Sequence, residues 1–107
     1  MASTCARLLL FAALLPASFA TLAAQTTPPY KRDVPAALAA QAKVTEDTAV
    51  ARALARVPGG RVTQLVLERE GGKLIYSLDI KVPSKAGIEE VHVDALTGRV
   101  LRVEHEP

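Results

Sequence analysis

Three residues that can bind metal ions or transfer protons alternate within one short segment: Glu90, His92 and Asp94. Alternation places their side chains on the same side of a β-strand, and carboxylates and imidazoles are common ligands of divalent cations. Like-facing residues lie ~7 Å apart along a strand, so three of them cannot close around one ion without ligands from elsewhere. We therefore expect a solvated strand face with no metal, and keep a metal-responsive site at these three residues as the alternative.

The remaining inventory of reactive residues excludes the common hydrolytic sites. Beyond the N-terminal apolar segment the only serines are Ser77 and Ser84, and neither lies in a nucleophile elbow. The sequence has no His-Glu-x-x-His pair for zinc. The pairs Gly59-Gly60 and Gly71-Gly72 indicate turns, since no helix follows them to bind a phosphate. We assign no catalytic residue and no cofactor, and expect that the protein is not an enzyme.

Asp94, Thr97 and Gly98 have the spacing of a tight turn between two strands. The Asp94 carboxylate can accept hydrogen bonds from backbone amides of the turn, and Gly98 can adopt the positive φ that such a turn needs. A ligand or metal contact through Asp94 is the competing interpretation. We predict the structural role for all three residues.

Strand periodicity extends on both sides of this turn. Alternating apolar and polar residues predict four strands, over residues 61–70, 73–82, 88–95 and 99–104. The loops between them are short, and a two-residue hairpin fits between the first two strands. The pattern predicts an antiparallel meander whose apolar face needs a cover.

An amphipathic helix before the first strand can supply this cover. Thr45 is a suitable N-cap, and Pro58 with the two following glycines ends the helix. The apolar residues at helical spacing are Ala49, Val50, Ala53, Leu54 and Val57. A short alanine-rich helix over residues 36–43 precedes it. The predicted fold class is α+β, with one amphipathic helix packed on a four-stranded antiparallel sheet.

The sheet face turned away from the helix is a candidate partner-binding surface. We expect the larger Leu65 and Leu67 of the first strand to face the helix. The residues then predicted for the opposite face are Val62, Val66, Ile75, Val100 and Arg102. An apolar patch with a charged rim can bind a partner, and the sheet edges can bind an extended peptide. Scattered surface apolar residues, or cover by residues 36–43, are the competing interpretations.

The first residues have the features of a secretory signal peptide. Arg7 precedes an apolar run over residues 8–15, and small residues follow. We expect residues 1–24 to be removed by cleavage after Ala24, which gives a periplasmic or secreted chain without a membrane segment. The single cysteine, Cys5, lies before the apolar run and leaves with it, so we expect neither disulfide nor thiol chemistry.

Composition restricts the classes of partner. The formal net charge is only +2 at pH 7, and the chain lacks the basic excess typical of nucleic-acid binding.

Residues 25–43 are predicted as a linker with a short helix, 44–104 as the folded domain and 105–107 as a tail. A domain of ~60 residues has room for a single core. We expect a monomer or a weak dimer.

The helix and the turn together resemble a PepSY domain. The resemblance covers residues 44–104 and includes Tyr76 in the second strand. It is carried by Val44-Thr45-Glu46-Asp47-Thr48-Ala49, by Ala55-Arg56-Val57-Pro58-Gly59-Gly60 and by Val93-Asp94-Ala95-Leu96-Thr97-Gly98-Arg99-Val100. The Val-Asp-Ala-x-Thr-Gly turn is the most specific of these motifs.

This resemblance implies a function that the residues alone do not. PepSY domains occur in the propeptides of secreted thermolysin-like metalloproteases and as small free-standing secreted proteins, and the chain is similar to the latter. A non-enzymatic module that binds a peptidase or another envelope protein, and modulates or inhibits the peptidase, is thereby implied. A small-molecule- or metal-responsive envelope protein is the alternative.

Overall fold

Five strands and two short helices follow one another within residues 27–107, the part of the chain that the computed structural model describes. They are β1 (Lys31–Asp33), α1 (Ala36–Ala39), α2 (Glu46–Arg56), β2 (Arg61–Glu70), β3 (Lys73–Lys81), β4 (Ile88–Asp94) and β5 (Val100–Glu106). The predicted signal peptide, with Cys5 and Ala24, lies outside the described residues. Within the described range, neither helix has the length and apolar character of a membrane span.

The amphipathic helix α2 forms as the sequence predicts. Thr45 is its N-cap, and the Thr45 side chain accepts a hydrogen bond from the Thr48 amide at 3.2 Å. Ala49 and Ala53 are fully buried against the sheet, and Val57 is nearly so. Two small residues at the centre of the contact let the helix lie close to the strands. The predicted α+β class is therefore confirmed.

The sheet differs from the predicted four-stranded antiparallel meander. It has five strands in the order β1-β2-β3-β4-β5, and β1 pairs parallel with β2 through Lys31–Asp33 opposite Gln64–Val66. Strand β1 lies in the segment predicted as a linker. Its three residues are polar and exposed, so no apolar alternation marks them as a strand. Backbone pairing with the edge of β2 makes this strand, and that pairing is invisible to periodicity.

Side-chain contacts with α2 hold β1 against the sheet. The Tyr30 hydroxyl donates to Glu46 Oε1 at 2.9 Å, and Arg32 Nε donates to Glu46 Oε2 at 2.8 Å. Burial acts to raise the pKa of Glu46, but the hydrogen bonds from Arg32 and Tyr30 outweigh it, so this pKa lies below its usual value. Burial, together with the hydrogen bond to Glu46, raises the pKa of Tyr30 to about 12.

Two irregularities in the strand register decide which side chains enter the core. One lies between Val62 and Gln64 on β2, and the other lies opposite His92 and Val93, at the start of β5. Because of the irregularity on β2, Val62 faces the helix together with Leu65. Past the second, Val100 also packs against the core. The prediction that Val62 and Val100 face away from the helix is therefore wrong, because each bulge shifts the period-2 pattern by one residue.

Replacing Glu46 with Gln should release β1 from the sheet while α2 remains folded. The ionised Glu46 stabilises the fold above about pH 4.5, and its lowered pKa means that this contribution is lost as the pH falls through that pKa. Arg32 is half-exposed, so we expect a loss of only about 0.5–1 kcal/mol at neutral pH. Amide hydrogen exchange should be faster in residues 31–33.

The matched control is Asp47→Asn, which removes the neighbouring carboxylate from the first turn of α2. Both variants weaken the interaction with the helix dipole, but only Glu46→Gln removes the contacts to Tyr30 and Arg32. Equal exchange rates for β1 in the two variants would contradict the anchoring role of Glu46.

Candidate functional site

The sheet surface opposite α2, here called the outer face, carries a row of paired residues across four strands. Val66 on β2 pairs with Ser77 on β3, Ser77 pairs with His92 on β4, and His92 pairs with Arg102 on β5. Paired residues share one face of a sheet, so these four side chains lie side by side. We call this set the central row.

His92 is the buried centre of a polar cluster on this face. Its Nε2 lies 2.5 Å from Glu90 Oε1, and its Nδ1 lies 3.7 Å from Glu70 Oε2. Arg102 Nη2 lies 3.6 Å from the same Glu90 oxygen. Only 5% of His92 is exposed, although it points away from the core. The expectation of a solvated histidine is wrong, because neighbouring strands bring long charged side chains around the ring.

Glu90 influences the pKa values of the neighbouring carboxyl groups on the outer face. The hydrogen bond to His92 holds the pKa of Glu90 below its usual range, so this carboxylate is ionised at neutral pH. Its hydrogen bond and charge raise the pKa of the Glu106 carboxyl. Burial, and secondarily the Glu90 charge, raise the pKa of Asp79. Asp79, Glu90 and Glu104 form a paired acidic row beside the central row.

Asp94 belongs to the β4–β5 turn and is separate from the His92 cluster. Its Oδ1 accepts hydrogen bonds from the amides of Leu96 at 2.8 Å and Thr97 at 3.2 Å. The Thr97 hydroxyl oxygen accepts from the Arg99 amide at 3.2 Å, and Gly98 has φ +79°. Of the three residues of the predicted metal alternative, Glu90 and His92 are therefore in contact, whereas Asp94 bonds to its own turn. Residues 27–107 contain no group of three histidine, cysteine or acidic side chains arranged to hold a metal ion.

The residues predicted for the partner-binding surface divide between the two faces. Val66, Ile75 and Arg102 lie on the outer face, whereas Val62 and Val100 pack on the helix side. Ile75 is 2% exposed and offers no surface to a partner, while Val66 is half-buried. Sequence reasoning did not place Glu70 beside His92. These two residues come from different strands, and no single-strand pattern relates them.

Exposed apolar side chains occur on β5 and in the turn that precedes it. Within residues 27–107, the large apolar residues that stand exposed are Leu96 in the β4–β5 turn and Leu101 and Val103 on β5. Leu96 also borders a cleft of about 310 Å³ that Gln41, Arg69 and Lys73 line. Strand β5 and the turn before it therefore present apolar side chains that are not buried in the core.

Substituting Gly98 with Val should destabilise the fold by about 1–3 kcal/mol, because a β-branched residue is strained at positive φ. A Cβ at this position meets Val44 at 3.6 Å, an ordinary contact, so backbone strain is the main cost. Gly98→Asn is the control, since asparagine tolerates the left-handed region. Chemical denaturation of both variants measures the difference. Equal losses would show that lack of space, and not φ, restricts this position.

Comparison with known proteins assigns most of this fold to one family. The family model described as "Peptidase propeptide and YPEB domain" (PepSY) matches residues 43–104. A stretch of 50 residues is 36% identical to part of the protein named Dipeptidyl-peptidase 5 from Porphyromonas endodontalis. This stretch spans 47% of the chain but only 7% of that protein. No solved structure matches the chain.

Proposed function

The chain belongs to the PepSY family, and we propose from this membership that it is a secreted, non-enzymatic module that binds and modulates a peptidase in the cell envelope. The observation that carries the proposal is the extent of the match. Residues 43–104 include α2, strands β2 to β4, the Asp94 turn and most of β5. The helix-covered sheet is thus the family's propeptide-like unit, and its exposed surfaces are the ones open to a partner.

A second comparison also relates part of the chain to a peptidase. A protein named as a dipeptidyl-peptidase contains the similar 50-residue stretch, although the shared part is a small share of that protein. A sequence similar to part of this chain therefore occurs within a protein named as a peptidase. In the present protein we propose that the unit acts on a separate peptidase molecule.

The outer face has the properties of a surface that binds without rearrangement. His92 holds Glu90 by a hydrogen bond, so this carboxylate has a fixed position before a partner arrives. Ordering flexible side chains opposes association, and side chains that are already held lose less entropy on binding. Val66 and Ser77 form the shallow middle of the central row, with the acidic row beside it. This arrangement suits a partner segment that carries basic residues.

Val66→Asp should abolish binding of the peptidase while leaving the fold intact. Val66 is half-buried in the middle of the outer face, and a carboxylate there removes the apolar contact and would lose its hydration when a partner covers it. Ile75 is unsuitable for this test because it is buried. The measurement is a crosslinking pull-down from envelope extract, followed by an activity assay of the captured peptidase with increasing amounts of purified protein.

The control variant is Ala51→Asp, which adds the same charge at an exposed position of α2, on the opposite layer. Melting temperatures show that both variants are folded. We expect wild type and Ala51→Asp to capture the peptidase and change its rate, and Val66→Asp to do neither. Equal capture by all three proteins would exclude the outer face, and a captured peptidase with unchanged activity would exclude modulation.

A further inference from the structure

Strand β5 is a long open edge for a domain of this size. It has seven residues, Val100–Glu106, and no strand lies on its other side within residues 27–107. Leu101 is 39% exposed and Val103 is 38% exposed. Proteins commonly protect such edges with short strands, proline, charged side chains or β-bulges. The other edge strand, β1, has only three residues, whereas β5 has seven and no proline, its bulge lies at its first residues, and its charged residues are of both signs.

The hydrogen-bond pattern shows which backbone groups of β5 face outward. The Ala95 amide donates to the Leu74 carbonyl on the β3 side, and the Asp94 amide donates to the Arg99 carbonyl on the β5 side. The backbone groups of successive residues point to opposite sides of an antiparallel strand. The N–H and C=O groups of the even-numbered residues of β4 therefore bond to β5. Their partners on β5, which include Arg102, point their own backbone groups at β4. The N–H and C=O groups of Val103 therefore point outward.

We propose that two copies of this chain associate through antiparallel pairing of β5 with β5, centred on Val103, to form a continuous ten-stranded sheet. Val103 is the midpoint of the strand, so this register gives the longest overlap of the two strands, with the bulge near Val100 at the ends of the paired stretch. It is also a residue whose backbone faces outward, so the two Val103 residues can exchange a pair of N–H···O bonds. This inference concerns the sheet edge and is independent of the peptidase.

Charge selects this register over its neighbours. Centred on Val103, Arg102 of one copy lies opposite Glu104 of the other, and two-fold symmetry makes this contact twice. A two-fold axis on Arg102 places two arginines opposite each other, and an axis on Glu104 places two glutamates together. A two-fold axis on His105 places Glu104 of one copy opposite Glu106 of the other. Unlike charges stabilise cross-strand pairs and like charges destabilise them, so the strand is self-complementary in one register.

Both faces of the new sheet gain contacts in this register. On the outer face, Arg102 Nε lies 3.4 Å from Glu104 Oε2 of the same strand, and each side chain is still about half-exposed, so a second copy can reach both. On the helix side, Val103 pairs with Val91 and borders a cleft of about 230 Å³ with Val57 and Val82. Pairing brings the two exposed Val103 side chains together and adds apolar cover beside this cleft. The shared edge is smaller than a standard interface of about 1,600 Å², so we expect a dimer that dissociates on dilution.

The test uses two single charge reversals, Arg102→Glu and Glu104→Arg, and sedimentation velocity over a range of protein concentrations. Each variant alone places like charges opposite each other in the Val103-centred register. We expect the association constant of each to fall by on the order of tenfold relative to wild type. In a mixture, one copy carries two carboxylates at these positions and the other carries two guanidinium groups, so both contacts again join unlike charges. The mixture should therefore form a heterodimer with about the affinity of wild type.

Arg52→Glu on the exposed side of α2 is the charge-matched control and should dimerise as wild type does. Circular dichroism melting establishes that every variant is folded, and recovery in the mixture is itself evidence against misfolding. Wild-type protein that stays monomeric at millimolar concentration would overturn the proposal. A dimer that is unaffected by either single reversal, or variants whose mixture fails to recover, would also overturn it.

Discussion

The contact between one helix and one sheet face is the constraint on which the rest of the molecule depends. Helix α2 has eleven residues and is the main cover for the sheet, and Ala49 and Ala53 at its centre leave no exposed surface. Small side chains let the helix approach closely, so the large apolar residues come from the strands. A helix of this length covers β3 and β4 better than it covers β5. The apolar residues of β5 consequently stay exposed.

The two edges of the sheet differ, because helix α2 covers only part of the sheet. At one edge, three polar residues close part of β2, and Tyr30 and Arg32 tie them to Glu46 at the start of the helix. A carboxylate there also favours the helix dipole, so a single side chain supports both helix and edge strand. At the other edge, β5 presents outward backbone groups together with exposed Leu101 and Val103. The edge closed within the chain is short, and the long edge is open to a partner.

The outer face shows how a sheet can bury a polar residue without a second layer. His92 is almost fully buried, yet its ring contacts carboxylates from β2 and β4 and the guanidinium of Arg102 from β5. Every described buried side-chain polar atom in the protein has a hydrogen-bond partner. A buried and satisfied imidazole fixes the positions of its neighbours. The charges of the outer face therefore form a defined pattern, which is a property that a binding surface requires.

Local interactions were enough to predict much of this protein from its residues. The Thr45 cap, the helical spacing that ends at Val57 and the antiparallel hairpins all follow from residues close together in the chain, and so does the α+β class. The pairing of β1, the inward turn of Val62 and Val100 and the burial of His92 emerged only in the folded molecule. Each of these depends on backbone pairing or bulges between strands, where a shift of one residue exchanges the two faces of a strand. The period of a strand predicts that two faces exist, but only the assembled sheet determines which residues occupy each face.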